Sequence, residues 1–217
     1  MRFKIPDLLS SEARQQMLAV LREAEFIDGK LTAGWYVKQV KHNQQLKAAD
    51  AKNLKEQIKT ALQKHPLFKS AVRPKQIHTL LLSRYESGMS YGTHADNAMM
   101  GPYRADVSFT VFLNEPNEYE GGELVIEGAD DEQAYKLPGG TALVYPSSTL
   151  HRVNEVTKGV RFVAVGWAQS LVRDPAQREV LFDLDTARRS IFAQQGKTVE
   201  FDLISKSISN LLRCWAE

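Results

Sequence analysis

Six short segments, 77–85, 107–114, 122–127, 141–145, 151–156 and 161–168, are rich in β-branched and aromatic residues, and each is bounded by Gly, Pro, Asn or Asp. Short strands separated by turns pack as a sandwich or a jelly roll, which brings residues distant in sequence to one barrel mouth. The flanks have a different period. Residues 8–26 place Leu9, Ala13, Met17, Leu18, Val20, Leu21 and Ala24 at helical intervals behind an N-cap at Ser10 or Ser11. Residues 46–65 repeat the pattern, and Pro66 ends it. Asp174-Pro175 starts a third helix that Gly196 closes, and a fourth runs from about Val199 with Phe201, Leu203, Ile204, Ile208, Leu211, Leu212 and Trp215. The expected architecture is mixed α+β: a helical flank over 1–76, a β core over 77–170, and a small helical appendage over 171–217. That appendage is expected to pack on the barrel or on a second copy of the chain as a homo-oligomer contact.

Within this frame His94 and Asp96 stand two residues apart, and a strand would point both to one face, where imidazole and carboxylate converge on one ion. With five His and 26 acidic residues in 217 positions, such a pair arises by chance about 0.6 times per chain. A third ligand is therefore needed. His151 follows the turn, short apolar strand and stop from Pro138-Gly139-Gly140 to Pro146, so it sits at a strand mouth. Two neutral imidazoles and one carboxylate form the facial triad of non-heme Fe(II) oxygenases, which leaves metal positions open for chemistry. A structural zinc site closes with four protein ligands, usually including Cys, and this chain has only Cys214.

Arg161 opens the apolar run Phe162-Val163-Ala164-Val165-Gly166-Trp167 after a turn at Thr157-Lys158-Gly159. Arg161, Val163, Val165 and Trp167 share one strand face, so the guanidinium projects into an apolar pocket where it needs a carboxylate partner. 2-Oxoglutarate supplies one: its keto-acid end chelates iron while its far carboxylate meets the guanidinium fork, and O2 takes the last position. Tyr85 is placed to add a phenolic hydrogen bond and Trp167 to touch the cosubstrate, although both are also ordinary barrel-core aromatics. Thr110 and Asn114 share a strand face and are candidates for the pocket lining. Gly121-Gly122 reads as a turn or a close backbone approach.

The order Tyr85-x-x-Gly88-x-x-Tyr91-x-x-His94-x-Asp96, Gly121-Gly122-Glu123-Leu124, Pro138-Gly139, His151-Arg152-Val153, Arg161 and Trp167 resembles the PKHD-type hydroxylases. These are a bacterial branch of the prolyl/lysyl-hydroxylase-like Fe(II)/2-oxoglutarate-dependent dioxygenases. The resemblance covers residues 77–170 by motif, and the helical flanks look like the same family's. It implies a double-stranded β-helix, iron ligands His94, Asp96 and His151, Arg161 as cosubstrate anchor, and L-ascorbate as accessory reductant. It also implies hydroxylation of a C–H bond in a small-molecule or peptidyl substrate, with release of succinate and CO2. Halogenating relatives replace the carboxylate ligand with a small residue, so Asp96 favours hydroxylation.

The remaining features set bounds. The formal net charge of +2, from 28 basic and 26 acidic residues, is too balanced to predict nucleic acid or an anionic membrane as partner. Basic clusters such as Lys38 with Lys41 read as solvated faces. No apolar run is long enough to cross a bilayer, and the first residues carry no apolar core of a leader. A cytoplasmic protein is expected, which suits the single cysteine. The segment 97–104, directly after the ligand pair, reads as a mobile loop able to close over the substrate, and its Met99, Met100 and Tyr103 suit an amphipathic or peptide-like substrate or, equally, a loop anchor. His42, His65 and His78 have no spaced partners and receive no role. Two other classes fit part of the pattern. A non-oxidative cupin-like metalloenzyme leaves Arg161 unexplained, and a catalytically silent sensor of iron or 2-oxoglutarate differs only in lacking turnover.

Overall fold

The computed structural model describes residues 1–32, 34–35 and 37–217, with the backbone alone for 48–50. Two antiparallel sheets face each other. The larger runs Phe3–Ile5, Ala142–Pro146, Val107–Phe112, Arg161–Ser170, Pro74–Tyr85, Gln44–Leu46 and Phe26–Asp28 in spatial order. The smaller runs Glu132–Tyr135, Leu124–Glu127, His151–Val153, Ser90–His94 and Lys41–His42. Tyr119–Gly121 pairs with Val156–Gly159 between them, and Met99–Met100 with Tyr103–Arg104 forms a hairpin.

Alternation along the central strand divides the interior in two. Phe162, Ala164 and Ala168 face a helical layer, whereas Val163 and Val165 face the space between the sheets. The helical layer consists of α1 (Ser11–Glu23), α2 (Ala48–Lys64) and α3 (Pro66–Val72), which bury Met17, Leu21, Ile58, Leu62 and Phe68 against the large sheet. Its outer face is thereby sealed and its inner face left for the site.

The helix boundaries follow local chemistry. Ser10 caps α1 by accepting from the Ala13 amide at 3.2 Å, so the helix starts later than position 8, and it stops at Glu23 because Phe26 is taken into a strand. Pro66 does not simply end α2: it is the first residue of α3, where its missing N–H costs nothing. Leu46 belongs to a strand rather than to α2. The segment 1–76, expected as a helical flank, thus also supplies four short strands to the two sheets.

After Ser170 come α4 (Pro175–Gln195) and α5 (Val199–Trp215), which enclose a small cluster of Val172, Leu181 and Ile208. Asp174 caps α4 through the amides of Ala176 and Gln177, and Thr198 caps α5. This pair packs on the barrel: α4 lies against α3, Arg73 donates to Leu181 O, and Glu217 accepts from Arg104 and from Lys75. No helix among the described residues is long and apolar enough to cross a membrane.

Phe68 is fully buried and meets Phe109 edge-on at 6.1 Å, pinning α3 to the sheet on the side away from the cavity. Phe68→Ala is expected to cost about 3–5 kcal/mol, read as a lowered urea midpoint with an unchanged far-ultraviolet spectrum.

Candidate active site

Asp96 lies between the two sheets but not on a strand, because the strand that carries His94 ends at His94. Shared strand alternation is therefore not what brings the two side chains together. The chain leaves the small sheet, and Asp96 is tied to the large one. Its amide donates to Ser147 O at 3.3 Å, and its Oδ2 accepts from Ser108 Oγ at 2.6 Å. Ser108 Oγ is also 2.7 Å from Ser147 Oγ, and because one hydroxyl carries one proton, the Ser147 proton fills that second bond.

His94 and His151 are register partners on adjacent strands of the small sheet. Each ring directs Nδ1 at a backbone carbonyl, His94 to Gly92 O at 2.8 Å and His151 to Thr149 O at 3.0 Å. A carbonyl accepts only from N–H, so Nε2 is in each ring the nitrogen left to face a metal. Burial, and next the neighbouring His151, push His94 down to about 4, which leaves its ring neutral near pH 7. His151 Nε2 stands 3.9 Å from Asp96 Oδ2, and one donor atom from each of His94, Asp96 and His151 lies within 4.8 Å of the others. Two imidazoles and an oriented carboxylate with no thiolate suit Fe(II).

Arg161 is 1 % exposed, yet its Nε and Nη1 have no hydrogen-bond partner, and no carboxylate among the described residues lies within ion-pair distance. Its guanidinium carbon sits 5.0 Å from the Tyr85 ring centre and 5.6 Å from that of Phe112. A buried charge with unmet donors is costly, so the geometry suits a carboxylate ligand. Gly122 makes room for it. At φ +67°, a Cβ there would lie 3.0 Å from Arg161 Cδ and 2.9 Å from Val156 Cγ2.

His94, Asp96, His151 and Arg161 line one cavity, about 800 Å³ of empty space with the open solvent at its mouth included. Tyr85, Val165, Trp167 and Thr110 line it too, as expected, but Asn114 does not: its side chain accepts from the Phe162 amide instead. Trp167 Nε1 is buried there without a partner. Burial, and next the charge of Asp96, push the Tyr145 phenol up, so it remains a neutral donor beside the triad.

The segment 97–104 is a hairpin rather than a loose loop. His78, given no role from sequence, stacks on Tyr103 at 5.5 Å and hydrogen-bonds Arg104 O at 3.0 Å. Tyr103 is thereby directed at His78, while Met100 reaches the cavity. Several residues at or beside the cavity received no role, or another one, in the sequence. Tyr91 stacks on His94 at 3.8 Å; Ser108 and Ser147 orient Asp96; and Lys41, expected on a solvated face, is buried in the wall.

Residues 80–169 match the 2OG-Fe(II) oxygenase superfamily. Over the whole of both chains the sequence is 64 % identical to a PKHD-type hydroxylase of Picosynechococcus sp., and it is 63 % identical to another of Acaryochloris marina over 98 % of each. The chain belongs to the PKHD-type hydroxylases. Solved structures share the hydroxylase's jelly-roll fold. A Pseudomonas putida prolyl-4-hydroxylase matches 78 % of this chain and 92 % of its own at TM-score 0.55 and 20 % identity. A Trichoplax adhaerens prolyl hydroxylase matches 83 % and 86 % at TM-score 0.59 and 15 % identity. This PKHD-type hydroxylase is accordingly a 2-oxoglutarate-dependent dioxygenase of the Fe(II) class.

Gly122→Ala is expected to cost about 1–3 kcal/mol through the strained positive φ. It is also expected to raise the KM for 2-oxoglutarate by displacing Arg161, while metal affinity, measured by titration, stays near wild type.

Proposed function

We propose that the chain hydroxylates an unactivated C–H bond of a small-molecule or peptidyl substrate, converting 2-oxoglutarate and O2 to succinate and CO2. The supporting observation is that Arg161, whose Nε and Nη1 have no hydrogen-bond partner, lines the same cavity as His94, Asp96 and His151. In this reading the three side chains hold Fe(II), which supplies the activation of O2. Arg161 pairs with the far carboxylate of 2-oxoglutarate and so fixes the direction of the keto acid. Tyr85 contributes its phenol to the cosubstrate; burial raises its pKa, so it stays a neutral donor. Trp167 offers its buried indole N–H. The sheets and the apolar side chains between them keep water from the reacting carbon. L-Ascorbate serves as accessory reductant, and a reducing cytoplasm suits a protein that must keep its metal as Fe(II).

Anaerobic addition of Fe(II) and 2-oxoglutarate to metal-free protein tests this. A weak visible charge-transfer band is expected only with both present, bleaching as succinate forms once O2 enters. A band without succinate in folded protein would instead favour a silent sensor, and absence of both a non-oxidative metalloenzyme.

Asp96→Ala is expected to abolish succinate formation and weaken metal binding without unfolding the chain; full activity in this variant would remove Asp96 from the ligand set. Arg161→Ala is expected to raise the KM for 2-oxoglutarate about tenfold or more, the loss of a charge-assisted pair, with metal affinity little changed. An unchanged KM would sink that role.

A further inference from the structure

Lys41 lies on the edge strand of the small sheet, beside the strand of His94, and its register partner is Tyr91. Tyr91 stacks on His94, so Lys41, Tyr91 and His94 follow one another along the cavity wall. The lysine is 5 % exposed. Its Nζ donates to Thr32 Oγ1 at 3.1 Å and sits 5.2 Å from the Tyr91 ring centre. No carboxylate among the described residues is within ion-pair distance of it. A lysine in this setting is not a packing residue, since an ammonium has three protons to place and Thr32 takes one. The opposing attraction comes from Asp96 and Asp28 at longer range, and it does not offset burial, which lowers the Lys41 pKa to about 8.

Resting on the dioxygenase reading above, we propose that Lys41 is the substrate's anion anchor: the substrate carries a carboxylate, or an equivalent anionic group, that pairs with the Lys41 ammonium beside Tyr91. Charge balance carries the argument. The charged side chains lining the cavity are Arg161 and Lys41 against Asp96, one positive charge in excess. Fe(II) adds two and the 2-oxoglutarate dianion removes two, so the loaded site keeps that excess. Arg161 is then matched by the cosubstrate and Asp96 by the metal, which leaves Lys41 as the unmatched group. An unmatched buried ammonium binds an anion far better than a neutral isostere. Adjacent strands are about 4.8 Å apart, so an anion on Lys41 stands one strand from His94, and the reacting carbon is separated from it by a few bonds.

The neighbouring polar groups fit such a subsite. Thr32 Oγ1 is 2.7 Å from Gln45 Oε1, which fixes the threonine that receives the lysine proton.

The test uses full-length protein loaded with Zn(II) in place of iron and saturated with 2-oxoglutarate, titrated with butyrate and with its neutral counterpart butyramide. Butyrate is expected to bind at least tenfold more tightly. Lys41→Met is expected to remove that preference, Lys41→Arg to retain it, and the Lys41→Met affinity for 2-oxoglutarate to stay within threefold of wild type. Equal binding of butyrate and butyramide to the loaded wild-type protein overturns the proposal without needing any variant to fold. So does a preference that survives in Lys41→Met, since butyrate would then be sitting on the metal. A parallel loss of 2-oxoglutarate affinity in Lys41→Met overturns it as well, because the lysine would then serve the cosubstrate. Failure of wild-type protein to bind Zn(II) and 2-oxoglutarate together would instead sink the dioxygenase reading beneath it.

Discussion

Burying the Arg161 guanidinium is the constraint that organises the rest of the interior. A fixed cation between two sheets is tolerated only if its stem is packed, its plane is stacked and its donors are met. The first two conditions are filled by the protein. Val156 and Gly122 close around the stem, and the rings of Tyr85 and Phe112 flank the guanidinium. The Tyr119 phenol, raised by burial and pulled back by Arg161, supplies part of the third. Nε and Nη1 remain. The protein therefore spends stability to hold a carboxylate-shaped deficit, which an apolar side chain of similar volume would avoid, and the glycine at position 122 exists for the same purpose.

The triad depends on a different device, a crossing between layers. Two ligands on paired strands of one sheet are positioned by the hydrogen-bond ladder itself, and their Nδ1 bonds fix the ring orientation. The carboxylate arrives from beyond the strand end and is held by serines of the opposite sheet. Any slip between the sheets would move Asp96 relative to both histidines. The side chains packed between the sheets, Leu124, Ile126 and Val153 against Tyr85, Tyr145 and Val163, are what keep that spacing constant.

Legibility in the sequence followed the length and composition of each element. The strands 107–112 and 161–170, buried and rich in β-branched residues, stood out, as did the capped helices at Ser10 and Asp174. The two- and three-residue strands at 26–28, 41–42 and 44–46 did not, because Asp28, His42 and Gln44 have no strand preference and tertiary pairing alone extends them. The triad and Arg161 were legible because each is chemically unusual at its position. Ser108 and Ser147 were not, because serines are ordinary in barrel strands and only the fold reveals what they touch; Tyr91 was visible in the motif, but its stacking on His94 was not. His94 and Asp96 were paired for an incomplete reason: the alternation that suggested them ends at His94, two residues too early. Lys41 was misread because neighbouring Lys38 made it look like part of a solvated cluster, and pairing with Tyr91 across the sheet edge is a long-range contact.

The cavity is graded along its length, and the gradient separates two tasks. At its inner end the charged groups are those that suit metal and cosubstrate, enclosed by strands buried on both faces. At its outer end the wall is made by an edge strand, by Thr32, Gly34 and Val37, and by Asn97 and Met100, and nearby Leu31, Trp35 and Met99 are largely exposed. Large apolar side chains in water beside a cavity mouth are a contact surface rather than a core. A ligand entering there desolvates against apolar side chains before its polar end reaches Lys41, and the lysine's attraction strengthens as water leaves. Edge strands and hairpins tolerate substitution without disturbing the two-sheet spacing that the triad needs, so the outer end can be re-tuned for a different substrate while the inner chemistry stays fixed.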